Sequence, residues 1–268
     1  MFKKILIITL YAVLSAALVL YFVFSSTLTE KGEDRMPVSR IKVVIRDSSQ
    51  IRFVSGSEIK EIVTANGIIQ GSTFLEELDL HHLEQVLNSR SAVKVSQAYI
   101  NREGVLTVMI QQRKPILRIE AEGNGFYMDE TLYLFPLVRN FSPWLPIVSG
   151  NIPVTLPAGF RGKVKEDNKW LEQMRDLAIF LEREEFWNNM TAQLYVDSKG
   201  VIILVPRVGN HRIILGSPVN IQEKFRKLEC FYREVIPLSG WNTFRSIDLQ
   251  YEKQIVCKIN NNNKNLDI

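Results

Sequence analysis

Ile5 to Phe24 reads ILIITLYAVLSAALVLYFVF, twenty residues without a charge. An α-helix rises about 1.5 Å per residue, so a run of this length reaches about 30 Å, the hydrocarbon thickness of a bilayer. No other window comes close, which predicts one transmembrane helix. Lys3 and Lys4 precede the run, and Glu30, Lys31, Glu33, Asp34 and Arg35 of mixed sign follow it. The positive-inside tendency then places the N-terminus in the cytoplasm and residues 25–268 across the membrane. A cleaved signal peptide would have a shorter apolar core followed by a small-residue cleavage site, whereas Tyr21, Phe22 and Phe24 occupy that place here. The rest of the chain must fold as an exported body behind an uncleaved anchor.

That body has room for two small domains. Hydrophobic residues make up 46% and charged residues 23% of the 268, which excludes wholesale disorder and a collagen-like fibre. Two cysteines exclude a disulfide-stapled scaffold. Lys+Arg 33 against Asp+Glu 29 gives +4, too small a balance to argue for nucleic acid.

After a polar Gly- and Pro-containing tether at 25–37, alternation at Ile41, Val43 and Ile45 predicts a strand. Ser55 and Glu58 form a capping box before a helix with Ile59, Ile62 and Val63 on one face. Asp79 caps a second helix with Leu80, Leu83, Val86 and Leu87 as its stripe. Strands follow at Val93–Asn101 and Val105–Gln112 around a Glu103-Gly104 turn, giving a β-α-α-β-β block. Pro115 lacks a donor, so a strand passing through it lies at an edge or bends. The second block predicts a hairpin at Phe126–Met128 and Leu132–Phe135, and a proline-constrained connection at Ser142–Pro157. Its best helix is Asp167–Trp187, with Trp170, Met174, Leu177, Ala178 and Leu181 on one stripe. A hairpin follows around Asp197–Gly200, then a strand Arg212–Leu215 and a helix Asn220–Val235 with Ile221, Phe225, Leu228 and Val235 buried. Strands at Phe244–Tyr251 and Gln254–Ile259 close the block, before an asparagine-rich tail.

The chain is poor in catalytic patterns. His81 and His82 are neighbours on a helix and point about 100° apart, so they cannot share a metal as i, i+4 residues do. His211 follows Gly209-Asn210 in a turn, and all three histidines read as solvated. Gly123-Asn124-Gly125 opens a strand, so no helix N-terminus faces a phosphate there. Glu182, Glu184 and Glu185 surround Arg183 and read as a solvated face. Cys230 and Cys257 read as two thiols buried separately, with a pairing left open. No cofactor or metal site emerges. A binding module is the leading reading, and the alternative is a membrane-anchored periplasmic cell-wall enzyme using paired carboxylates.

The first block carries Gly71-Ser72-Thr73-Phe74-Leu75, Leu78-Asp79, Leu83-x-x-x-Leu87, Val93 with Val95, Asn101-Arg102, Leu106-Thr107-Val108-x-Ile110 and Arg113-Lys114-Pro115. The second carries Val208-Gly209, Ile213-Ile214-Leu215-Gly216 and Ile247-Asp248-Leu249-x-Tyr251. In this order, behind one N-terminal span, these motifs resemble the FtsQ/DivIB family of bacterial cell-division proteins, with Gln250 where the family usually has Arg and no glycine at Asp129-Glu130-Thr131. The resemblance implies an α+β chain: stub and transmembrane anchor 1–24, linker 25–37, POTRA domain 38–118, FtsQ-type β-rich domain with two helices 119–259, and tail 260–268. It implies a non-catalytic scaffold in the inner membrane at the division septum, single-pass with its bulk in the periplasm. Its partners would be division proteins of the FtsB and FtsL type and, indirectly, the septal synthase pair FtsW and FtsI; the lipid contact would be Ile5–Phe24. The partner-binding residues expected are Asp248, Leu249, Tyr251, Lys253 and Ile255, with Tyr251 as anchor on a terminal strand edge.

Overall fold

A computed structural model describes residues 12–25, 36–46, 49, 51–164 and 168–260. Helix α1 covers residues 12–25, and its apolar side chains, Leu14, Leu18 and Phe22 among them, are exposed. Among the described residues no helix is long and apolar enough to cross a membrane. The first part of the apolar run, 5–11, lies outside the described residues, as do most of the expected linker and tail.

The β-α-α-β-β block forms as its pattern predicts. Strand β1 (Arg40–Arg46) is followed by α2 (Gly56–Ala65), α3 (Leu80–Asn88), β2 (Val93–Ile100) and β3 (Val105–Gln112). The Ser55 hydroxyl accepts from the Glu58 N–H at 3.2 Å, and Asp79 Oδ1 accepts from the His82 N–H at 2.8 Å. Each cap satisfies a backbone donor that the first helical turn leaves open. The sheet order is β1-β3-β2, with β1 parallel and β2 antiparallel to β3. A parallel neighbour needs a crossover, and α2, α3 and β2 supply it. Ile59, Ile62, Val63, Leu83 and Leu87 close over Leu106, Val108 and Ile110 in one core.

The second block is a ten-stranded mixed sheet in the order β13-β12-β11-β10-β9-β7-β4-β5-β6-β8. Its strands are β4 (Pro115–Ala121), β5 (Asn124–Asp129), β6 (Tyr133–Pro136), β7 (Ile147–Gly150), β8 (Gly162–Lys163), β9 (Thr191–Val196), β10 (Ile202–Pro206), β11 (Arg212–Gly216), β12 (Phe244–Asp248) and β13 (Val256–Ile259). Pro115 is the first residue of β4, a strand flanked on both sides, and the register slips just after it. First position is where a strand tolerates a residue without a donor. The two sheets part between Gln112 and Pro115, so the boundary expected after residue 118 falls inside β4.

The helix expected over 167–187 is two: α4 (Lys169–Arg183) and α5 (Glu185–Met190), broken at Glu184 in extended conformation. Asn168 caps α4 through Leu171 N, and Leu171 replaces Trp170 in the buried stripe with Met174, Leu177, Ala178 and Leu181. The break turns Trp187 inward. Helices α6 (Ile221–Glu234) and α7 (Ile236–Ser239) follow, and Phe231 and Tyr232 join Phe225 and Leu228 inside, while Ile221 and Val235 are half-buried.

The β5–β6 hairpin feeds both cores. Successive side chains of a strand point to opposite faces, so Phe126, Met128 and Leu134 enter the core of the large sheet while Tyr127 and Phe135 enter that of the small domain. There Phe53 packs on Tyr127, Phe135 and Phe141 with ring centroids 5.4, 5.7 and 5.3 Å away. The turn of this hairpin needs no glycine. Asp129 Oδ1 accepts from Thr131 N at 2.9 Å, Thr131 Oγ1 at 2.7 Å and Tyr133 N at 3.1 Å, and Leu132 takes φ 63°. The other oxygen, Oδ2, pairs with Arg113 Nη1 at 2.9 Å, and the Arg113 guanidinium lies over the Tyr133 ring.

His211 corrects the solvated reading. It is 1% exposed, its Nε2 lies 2.6 Å from the Tyr232 hydroxyl, and its ring stacks on Trp241. Burial holds its pKa below the usual histidine value. A base with a depressed folded pKa contributes stability above its unfolded pKa of about 6.5 and loses it as pH falls through the folded value. We expect stability measured by urea unfolding to fall more steeply between pH 7 and pH 5 in the natural chain than in a His211→Phe variant. Equal slopes would show that His211 protonation is not linked to unfolding.

Candidate functional site

Strand β13 ends the large sheet. It pairs antiparallel with β12 on one side, and among the described residues no strand pairs with the other. Its N–H and C=O groups on that side are open to an incoming strand, and Val256, Lys258 and Ile259 are exposed along it.

The terminal strands are shorter than the pattern predicts. Strand β12 stops at Asp248, whose Oδ1 accepts from Gln250 N at 3.0 Å, a local turn that diverts the chain. Beyond it, Lys227 on α6 braces the β12–β13 connection by donating to the carbonyls of Leu249, Tyr251 and Glu252. One helical turn earlier, buried Lys224 donates to Leu215 O at 2.8 Å and Ser217 O at 2.7 Å, fixing the loop between β11 and α6. Burial, and then the nearby Lys227 charge, push the Lys224 pKa down. Gly216 joins the two loops: its φ is +77°, and a Cβ there would meet Gln250 Cγ at 2.8 Å. The left-handed backbone favours glycine at the end of the Leu215-Gly216 motif, and a larger residue would also have to push the exposed Gln250 side chain aside.

The five expected partner-binding residues therefore have different standings. Tyr251 is 50% exposed and lies in the braced connection, not in a strand. Lys253 is exposed beside it, and Asp248 is half-buried at the end of β12. Ile255 is half-buried against the core of the large sheet. Leu249 is fully buried, and its N–H bonds Ile214 O at 3.0 Å, so it holds the connection from inside and offers no side chain to a partner. The strand expected at Gln254–Ile259 is the edge strand, but Val256, Lys258 and Ile259, exposed along it, were not among the expected partner-binding residues.

Hollows flank the edge on both faces. On the helix side, Arg226, Phe231, Glu234, Lys253 and Ile255 line one. Cys230 opens onto it as an exposed free thiol, not a buried one, while Cys257 in β13 is half-buried and burial pushes its thiol pKa up. On the opposite face Arg212, Arg245 and Lys258 line a second.

The acids and remaining histidines stand apart from this region. Glu182 pairs with Lys114, Glu184 and Glu185 are exposed, and His81 and His82 are exposed on α3, where His81 meets Gln85. Among the described residues no three His, Cys, Asp or Glu side chains are grouped so as to hold a metal ion.

Two family models match the chain. Residues 38–111 match a POTRA-like domain, and residues 114–258, more than half of the chain, match the model described as FtsQ/DivIB, C-terminal related. The gap between the matches coincides with the parting of the two sheets. No curated protein matches the chain.

Proposed function

The chain belongs to the FtsQ/DivIB family of cell-division proteins, and from that membership we propose that it is a non-catalytic scaffold of the division machinery, anchored in the inner membrane by Ile5–Phe24. Its bulk stands in the periplasm at the septum, binds division proteins of the FtsB and FtsL type, and through them regulates septal wall synthesis by FtsW and FtsI. The observation that carries this reading is the open β13 edge beside a connection braced at three carbonyls by one lysine. An edge of this kind takes a strand from another chain through main-chain hydrogen bonds, with side-chain contacts setting the choice of partner. A fluorescent fusion should band at mid-cell as constriction begins. Uniform envelope fluorescence in constricting cells would remove the reading.

Tyr251 is the proposed anchor of the contact. An aromatic residue with a polar tip, half-exposed on a pre-organised loop, is the type most enriched where truncation costs affinity. Tyr251→Ala should weaken binding of an FtsB-type periplasmic segment by about 2 kcal/mol. The melting temperature should barely move, because the ring is half outside the core. Titration of the chain with that segment, run beside a melting curve, checks both. Unchanged affinity would remove Tyr251 as anchor, and a lost fold would make it a packing residue.

A further inference from the structure

Three cations line one hollow on the solvent face of β11–β13, while Asp248, in the neighbouring row Ile214–Asp248–Val256, lies outside that lining. Register sets Arg212 beside Ser246 and Ser246 beside Lys258 in one cross-strand row, on the face opposite buried Ile213 and Ile247. The pairing then slips: Phe244 opposes Ile259 and Ser246 opposes Lys258, so Arg245 is an extra residue on β12. A bulge redirects a side chain that strict alternation would send to the other face. Arg245 thereby lines the same hollow as Arg212 and Lys258, together with the amide-bearing Asn210 and Asn260. All three cations are exposed, none makes an ion pair among the described residues, and no acid lines the hollow. Gathering three like charges on one patch of sheet works against the fold, since they repel and nothing within the hollow offsets them.

We infer that this hollow seats the carboxylates of an acidic, extended peptide segment that pairs with β13; the inference rests on the reading of β13 as the partner edge. A strand laid beside β13 sends every second side chain over this face. The one opposite Lys258 extends the row Arg212–Ser246–Lys258, with Cβ atoms of neighbours about 4.5–5.5 Å apart. An acidic residue there meets Lys258 directly; Arg245 on β12 and Arg212 on β11 lie about two and three strand spacings away and add to the positive field over the same row. The hollow thus selects partner strands that alternate acidic and apolar residues.

The test uses the full chain in lipid nanodiscs and a short peptide alternating Glu and Val, against one alternating Thr and Val. At low salt the Glu peptide should bind about tenfold more tightly, the direct pair with Lys258 and the field of the two arginines behind it together supplying a factor of that order. The advantage should shrink at high salt and vanish in the triple variant Arg212→Gln, Arg245→Gln, Lys258→Gln. Equal binding of the two peptides, no binding of either, or an advantage that survives in the triple variant would overturn the inference. A Glu peptide methylated on alternate backbone nitrogens separates the two readings. Weaker binding of this peptide supports pairing at β13. If methylation changes nothing while the triple variant still loses the advantage, the edge reading fails and the carboxylate seat stands.

Discussion

Asp129→Ala should lower unfolding stability by about 3–5 kcal/mol, the usual cost of removing one partner from a buried ion pair. The Asp129 side chain is 4% exposed and that of Arg113 12%. The substitution leaves the guanidinium buried without its counter-charge, and Arg113 Nε already has no partner among the described residues. It also strips three acceptor contacts from a turn that has no glycine to hold its shape. A domain of this size has only about 5–15 kcal/mol in all, so the variant should accumulate poorly and melt many degrees early. Asp129→Asn should be milder, because it can keep one acceptor for the turn. Urea unfolding of the three chains checks the order. A loss below about 1 kcal/mol for Asp129→Ala would mean that Arg113 reaches water at little cost.

The anchor proposal carries the second large effect. Residues 12–25 alone would reach about 21 Å as a helix, short of the roughly 30 Å of a bilayer core, so a crossing requires residues 5–11 to continue it. Leu14 and Ala17 then lie near the middle of the span. Each change to Arg costs about 2.5–3.5 kcal/mol of insertion. One such change should weaken insertion of so apolar a run, and Leu14→Arg with Ala17→Arg together should abolish it. The double variant should appear in the supernatant after an alkaline wash and high-speed sedimentation. Its full retention with the membranes would contradict an anchor at Ile5–Phe24.

Local chemistry was legible in the sequence, and contacts between distant segments were not. The Ser55 half of the capping box, the Asp79 cap and the Asp197–Gly200 turn each act within a few residues, and each forms as written. His211 was misread because Tyr232 and Trp241, which bury it, lie 21 and 30 positions away. Strand β7 was hidden in a proline-rich stretch, since four residues gain strand character only from β4 and β9 on either side. At the candidate site the alternation itself held the answer for Leu249. It shares parity with buried Ile247, so it had to point inward. Tyr251 shares that parity too, but β12 ends three residues earlier, and nothing in the sequence marked Lys227 as the group that gathers the next carbonyls. The bulge at Arg245 was equally silent, because it exists only in the register between two strands.

The two-faced hairpin β5–β6 limits how modular this protein can be. Tyr127 and Phe135 belong by chain to the second family match and by packing to the first. Cutting after Arg113 to isolate the first domain would leave Phe53 facing water, and the second fragment would present three rings stripped of that partner, Tyr127, Phe135 and Phe141. Shuffling or grafting either unit between relatives therefore has to move the Phe53 contact surface with it. The shared interior makes each unit part of the other's folding surface, so neither is a free-standing module of this chain.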